Sequence, residues 1–303
     1  MNIRFVTHKD IDKTRWDKCI EHSANGMIYG YSFYLDAMSK HWDGIIMDDY
    51  TAVMPVTWNR KYGIYYLYQP FFAASLGIFG NLLNSSVVNS FLEKIPPKFK
   101  YWDIYLNRGN IFELPDFSLY VRMNYVLNLD RPYADIAMSY AANHTRNIKR
   151  ASQLGCTLKK DIPVKAVISL AKEQSKQFSP ITGKDYDNFE GLYDLLRKND
   201  QAITYGVYNK QDELMASSVF FFSNRRSYYI MVGNHPDGRT MGASHFMIDE
   251  FIKDHAEQNL LLDFEGSEIR NLAWFYKSFG ATEERYAAIK LNRLPRIIKL
   301  LKQ

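Results

Sequence analysis

Ala202-Ile203-Thr204-Tyr205-Gly206-Val207-Tyr208, Leu214-Met215-Ala216-Ser217-Ser218-Val219-Phe220-Phe221-Phe222 and Ser227-Tyr228-Tyr229-Ile230-Met231-Val232 are three runs rich in β-branched and aromatic residues. Only the short polar turns at 209–213 and 223–226 separate them. Strands joined so closely pair with their neighbours, so the spacing predicts an antiparallel meander. A loop rich in Gly and polar residues, Gly233-Asn234-His235-Pro236-Asp237-Gly238, then leads into a helix from about 242 to 258. A strand at 260–264, a helix at 271–279 and a strand at 286–291 follow. The succession of three strands, a loop, a helix, a strand, a helix and a strand makes a mixed sheet with helices on its faces, an α/β (α+β) fold.

Working outward, helices are expected at 164–178 and 186–198, and a long helical stretch at 133–154. That stretch is introduced by Asp130-Arg131-Pro132, where the pattern resets. The domain boundary is placed there, giving an N-terminal domain at 1–129 and a C-terminal domain at 130–303 that ends in a basic helix. In the first half, helices are expected at 12–23 and 32–39. A hairpin forms from 44–47 and 51–57 around Asp48-Asp49-Tyr50, and strands lie at 101–106 and 120–129. Residues 62–92 carry no charge and are long enough to cross a bilayer. Pro70, Gly77, Gly80 and the polar run Asn81, Asn84, Ser85 and Ser86 interrupt them, so a buried strand and a loop are the better account.

The chain has 303 residues, 47% of them apolar and 23% charged, with 22 Tyr, 19 Phe and 5 Trp. That balance supplies a core and excludes wholesale disorder. Cys19 and Cys156 are the only cysteines, too few for a disulfide framework or a structural zinc site. Early charges at the N-terminus argue against a signal peptide, and a reducing cytoplasm is the expected compartment. The net charge of +5 permits a polyanionic ligand. Through residue 128 the chain holds 13 basic and 12 acidic residues, so nearly all of the excess falls later.

No phosphate-binding Gly-x-x-x-x-Gly-Lys-Ser/Thr, His-Glu-x-x-His, Gly-x-Ser-x-Gly or Gly-x-Gly-x-x-Gly is present, which disfavours nucleotide hydrolysis, zinc proteolysis and lipase-type chemistry. The seven histidines lack ligand spacing and read as surface or structural residues; no metal is expected. Four stretches remain. Arg146, Lys149 and Arg150 share one helical face, either a solvated basic surface or a contact for a phosphate-bearing ligand. Arg239-Thr240-Met241-Gly242-Ala243-Ser244 opens a helix, either as a plain turn or as a cradle for a pyrophosphate or carboxylate. Leu262-Asp263-Phe264-Glu265-Gly266-Ser267 ends a strand in two carboxylates that alternation sends to one face, as base, cap or ion-pair partner. Trp274-Phe275-Tyr276-Lys277-Ser278-Phe279-Gly280 is an aromatic helix with a Gly stop, and Lys277 is its only charge.

Together these segments, with Arg15-Trp16-Asp17, Tyr31-Ser32-Phe33-Tyr34 and Met54-Pro55-Val56, resemble the Fem family of peptidoglycan aminoacyltransferases across nearly the whole chain. The resemblance implies two tandem GNAT-like domains, the acyl-CoA N-acyltransferase fold, and transfer of an acyl or aminoacyl group onto an amine. Fem proteins take aminoacyl-tRNA as donor and a peptidoglycan precursor as acceptor, held in a cleft between the domains. The wider GNAT superfamily uses acyl-CoA, which makes an acyl-CoA-dependent N-acetyltransferase the alternative. A non-catalytic binding protein for a cell-envelope or nucleotide-sugar ligand stands as a reading of another class. By the resemblance, Glu265, Asp263 and Lys277 are the catalytic candidates. Arg239, Gly242, Ala243 and Ser244 hold the donor phosphate, and Arg146, Asn147, Arg150 and Ser267 hold an anionic acceptor. Ser244 stands where the superfamily's loop has a small apolar residue, and no coiled-coil arm interrupts the second domain. The donor is a co-substrate and no tightly bound cofactor is expected; tRNA is a candidate partner and DNA is not. The basic, apolar-striped tail at 291–302 is a candidate peripheral membrane contact or a closing helix.

Overall fold

The computed structural model describes residues 1–175, 180–266 and 269–295, and the chain divides into two compact units. The first is Met1–Arg122 with the returning segment from Arg285; the second is Met123–Glu284. In the first unit β1 (Ile3–Val6) precedes α1 (Lys13–His22) and α2 (Ser32–Met38). The hairpin strands β2 (Trp42–Met47) and β3 (Ala52–Lys61), β4 (Ile64–Tyr68), the short β5 (Phe79–Gly80), α3 (Ser85–Glu93) and β6 (Phe99–Tyr105) follow. The sheet runs β1-β2-β3-β4-β6, antiparallel at every step except the parallel pair β4–β6. Its core gathers Ile45, Val56, Phe91, Trp102 and Ile289. The uncharged stretch at 62–92 thus resolves into β4, a loop, β5 and α3, and α3 is a helix the periodicity did not reveal.

The second unit takes the end of β7 (Tyr120–Asn128), then α4 (Tyr133–Ala137), α5 (Ala142–Gln153), β8 (Thr157–Lys160), α6 (Val164–Ser175) and α7 (Gly183–Arg197). The meander follows as β9 (Ala202–Tyr208), β10 (Leu214–Ser223) and β11 (Arg226–Asn234). After it come α8 (Pro236–Met241), α9 (Ala243–His255), β12 (Leu261–Asp263) and α10 (Arg270–Lys277). The sheet order is β8-β9-β10-β11-β12-β7, with β11–β12 parallel and all other pairs antiparallel. β10 is buried on both faces. Phe220 stacks on Phe251 of α9 at 3.8 Å, and the next residue, Phe221, stacks on Phe189 of α7 at 5.4 Å. Alternation along the strand therefore puts helices on opposite sides of the sheet. Each such fully buried ring contributes about 1.5–3 kcal/mol of hydrophobic stabilisation.

The last strand, β13 (Thr282–Asn292), pairs antiparallel with β6 through residues 288–292. The strand sets of the two units therefore repeat one pattern: three antiparallel pairings, one parallel, one antiparallel. In each, the closing strand is drawn from the far end of the other half of the chain, β13 for the first set and β7 for the second. The compact units accordingly depart from the split at 1–129 and 130–303. A boundary read along the chain assigns β7 and β13 by sequence, whereas pairing with β12 and with β6 carries most of each into the other unit.

Two further expectations change. The helical stretch at 133–154 breaks between α4 and α5, because Ala141 donates its N–H to Ser278 O at 2.9 Å and Ser139 packs at the end of α10. The tail begins as strand rather than helix: Leu291 and Asn292 belong to β13, Arg293 N–H bonds Lys100 O at 2.8 Å, and Leu294 is buried. The remaining tail residues lie outside the described residues. No helix among the described residues is long and apolar enough to cross a membrane.

Candidate functional site

Parallel strands β11 and β12 pair only as far as Tyr228 and Asp263. β11 continues to Asn234, while the chain after Asp263 turns away through Glu265 at φ +61° and Gly266 at φ +74°. A bulge sharpens the divergence. Val219 faces Met231 and Phe220 faces Tyr229, so Ile230 is the extra residue on β11. The gap becomes a cavity of about 750 Å³ walled by Tyr229 and Ile230 on one strand and by Phe264, Glu265 and Gly266 on the other. The turn is held from beneath. Asp263 is buried, its Oδ1 accepts from Glu265 N–H at 2.8 Å and Asn124 Nδ2 at 2.9 Å, and its Oδ2 accepts from Arg226 Nη1 at 2.7 Å. Arg226 also pairs with Glu284, and these two carboxylates hold the buried guanidinium in its charged form.

The start of α9 forms another wall. Gly242 at φ +83° ends α8 and begins α9, and a Cβ there would lie 2.5 Å from Asn147 O, so the crossing of α5 and α9 admits only glycine. No side chain caps this end. The first intrahelical amide is that of Phe246, bonded to Gly242 O at 3.1 Å, which leaves the earlier amides and the positive end of the helix dipole for another acceptor. Ser244 Oγ is committed to Asn234 Oδ1, tying the helix start to the end of β11, and Asn234 N–H in turn bonds Gln174 Oε1 at 2.7 Å. Arg239 is exposed, lines the cavity and has no ion-pair partner among the described residues.

α10 closes the cavity with Phe275 and the buried Tyr276. Burial, and after it the negative charge of Glu265, raise the Tyr276 hydroxyl well above the ordinary tyrosine range. His245 lines the same space. Burial and then the neighbouring His144 push its pKa down to about 3, so the ring is neutral. A cation at Arg239, a carboxylate at Glu265 and the uncapped start of α9 therefore border one open cleft, able to take an anionic group and an amine together.

The sequence candidates separate on this geometry. Glu265, Arg239 and Ser244 line the cavity, and Gly242 with Ala243 forms its helix start. Asn147 is brought against it, its side chain 3.3 Å from His245. Asp263 and Glu265 do not share a face as alternation predicts, because the strand ends between them. Asp263 is taken up by Arg226 and lies outside the cavity lining. Lys277 also lies outside it. Its ammonium bonds Glu283 at 2.5 Å, which raises its pKa, and sits over the Tyr125 ring at 5.5 Å. Arg146 and Arg150 are exposed on α5, away from the face that buries His144 and Ala151. Ser267 lies outside the described residues. Sequence reasoning missed His245, Tyr276 and Asn234. His245 carried one signal, its place directly after Ser244 at the helix start.

No family model matches the chain, and no curated protein matches it in sequence. Solved structures do match. The crystal structure of FemX has a TM-score of 0.67 at 14% identity, with 100% of both chains covered. A conserved protein of unknown function from Bacteroides thetaiotaomicron VPI-5482 gives 0.60 at 14% identity, covering 95% of this chain and 99% of that one. The C-terminal domain of a putative lysylphosphatidylglycerol synthetase from Agrobacterium fabrum gives 0.54 at 10% identity, covering 96% and 94%. At these identities the likeness is one of fold: the chain has the mixed α/β fold of Fem-type acyltransferases.

Proposed function

We propose that this chain transfers an acyl or aminoacyl group onto an amine in the cavity between β11 and β12. The observation that carries the reading is the coincidence of an open strand gap, an uncapped helix start, Arg239 and Glu265 around one volume. Arg239 and the first amides of α9 take the donor's phosphates, the pyrophosphate of an acyl-CoA or the terminal phosphodiesters of an aminoacyl-tRNA. The amine nitrogen attacks the carbonyl carbon and Glu265 accepts one amine proton. The C–N bond forms as the carbonyl oxygen becomes an oxyanion. Collapse then expels the thiolate or ribose oxygen, which takes the proton back from Glu265. No covalent enzyme intermediate is required, in keeping with a Cys156 whose thiol is buried and pushed up in pKa. Asp263 acts by holding the Glu265 turn. The resemblance of the sequence segments to the Fem family favours an aminoacyl donor, with a peptidoglycan precursor as acceptor.

Thermal shift with acetyl-CoA and, separately, with an aminoacylated tRNA tests the reading. Stabilisation by one identifies the donor, and stabilisation by neither leaves the binding-protein reading. With the donor in hand, Glu265→Gln is expected to lower kcat about 10²-fold or more. Arg239→Ala is expected to raise the donor KM about 10-fold or more. Unchanged turnover in Glu265→Gln would sink the assignment.

A further inference from the structure

His245 lines the cavity and sets one ring nitrogen against Asn147. Nε2 lies 3.3 Å from Asn147 Nδ2. An amide nitrogen only donates, so Nε2 accepts through its lone pair and the ring proton resides on Nδ1. Nδ1 has no partner among the described residues and is not among the buried atoms sealed from solvent, and the residue lines the cavity. We infer that His245 offers a neutral Nδ1–H to the acyl carbonyl oxygen of the bound donor, and that Asn147 is the positioning residue that fixes this tautomer. The inference rests on the acyl-transfer reading above.

The surroundings fix the ring as well as its proton. His144 meets it edge-on at 4.5 Å and Phe275 at 4.9 Å. His144 is itself oriented, its Nε2 donating to Phe275 O at 3.0 Å. The titratable and charged groups around the cavity are His144 from α5, Arg239 from α8, Glu265 from the turn after β12, Tyr229 from β11 and Tyr276 from α10. Burial keeps His245 uncharged throughout the neutral range. A neutral Nδ1–H stabilises the developing oxyanion without giving up its proton, because the proton leaving the amine goes to Glu265. Two separate groups thus serve the two ends of the reaction.

Two-bond 1H–15N spectra of protein labelled at histidine nitrogens report the tautomer directly and need no ligand. The expected result is a protonated-type Nδ1 and an unprotonated-type Nε2 at His245, exchanged in Asn147→Asp, whose carboxylate accepts from Nε2–H. An Nε2–H tautomer in the native protein overturns the inference. Acetyl-CoA and an aminoacylated oligonucleotide with a hydrolysis-resistant linkage are then added in turn, and one of them is expected to move the Nδ1 signal. Thermal stabilisation without movement of Nδ1 overturns the inference while the transferase reading survives; neither effect from either probe overturns both. In turnover, His245→Gln is expected to lose about 10²-fold in kcat. His245→Asn, whose Nδ2 occupies the place of Nδ1, is expected to recover part of that loss, and equal losses in the two variants count against the inference.

Discussion

The two units repeat one sheet, yet the gap between parallel strands is closed in the first and open in the second. In the first, β4 and β6 pair through Tyr68 and Asp103. Gln69 then enters the gap, its Oε1 accepting from Tyr105 N–H at 3.1 Å and its Nε2 donating to Ala73 O at 2.7 Å. Leu76 bridges to Leu106, and the space left beside Gln69, Leu76 and Tyr105 is about 10 Å³. In the second, β12 stops at Asp263 and about 750 Å³ opens. The helix ends differ in the same sense. The start of α3 is closed by Asn84, which accepts from Val87 N–H at 3.0 Å, whereas α9 begins at the uncapped Gly242. α10 also has no counterpart between β6 and β7, where the described helical structure is one 3-10 turn, Arg108–Asn110. A repeated frame supplies the place for a ligand, and a few local residues decide whether the place is filled by the protein itself.

The strongest way to break this contrast is at the turn that opens the second gap. Asp263→Ala removes one of the two carboxylate partners of a buried guanidinium and the acceptor for Glu265 N–H, and is expected to cost about 3 kcal/mol in urea unfolding. A loss under about 1 kcal/mol would mean that the turn is held by other contacts. Next, Gly242→Ala adds a left-handed penalty to a Cβ pressed on Asn147 O, about 2–4 kcal/mol together. Gly63→Ala, at a similar φ of +79° but with nothing within 4 Å, supplies the comparison at about 1–2 kcal/mol. Equal losses at the two glycines would deny the close crossing of α5 and α9.

Asn84→Ala uncaps α3 and is expected to cost about 1 kcal/mol, read as a lower Tm with the thermal shift by a donor unchanged. The remaining effect is a slope, not a single step. His245 has a folded pKa of about 3 against 6.5 for the unstructured group. Between those values the unfolded chain binds the extra proton, so this contribution to stability is present above pH 6.5 and is lost as the pH falls toward 3. Unfolding midpoints measured across that window should decline less steeply in His245→Asn, and an unchanged slope would contradict the burial of a neutral ring.

Much of the frame was legible. The meander at β9, β10 and β11, the hairpin of β2 and β3 and the helices α1, α2 and α10 follow from periodicity and short turns, which are local properties. The break between α4 and α5 was not, because it comes from α10 docking against the linker, and α3 was hidden in an uncharged stretch that reads equally as strand or loop. At the site, Glu265, Arg239 and Gly242 stood in short segments with turn chemistry and charge. His245 and Tyr276 did not stand out, since a histidine and a tyrosine at helical spacing look like core until the strands beside them part.

The sequence by itself determined the fold class, the presence of two halves and the candidate residues near the ends of β12 and the start of α9, because each depends on spacing within a few residues. Only the tertiary structure decided that β7 and β13 cross between the two units, that Asp263 serves Arg226 while Glu265 lines the cavity, and that His245 is held neutral beside Asn147. Those outcomes depend on pairing, burial and hydrogen bonds between residues as far apart as Asn124 and Asp263, and such contacts are chosen by packing rather than by neighbours along the chain.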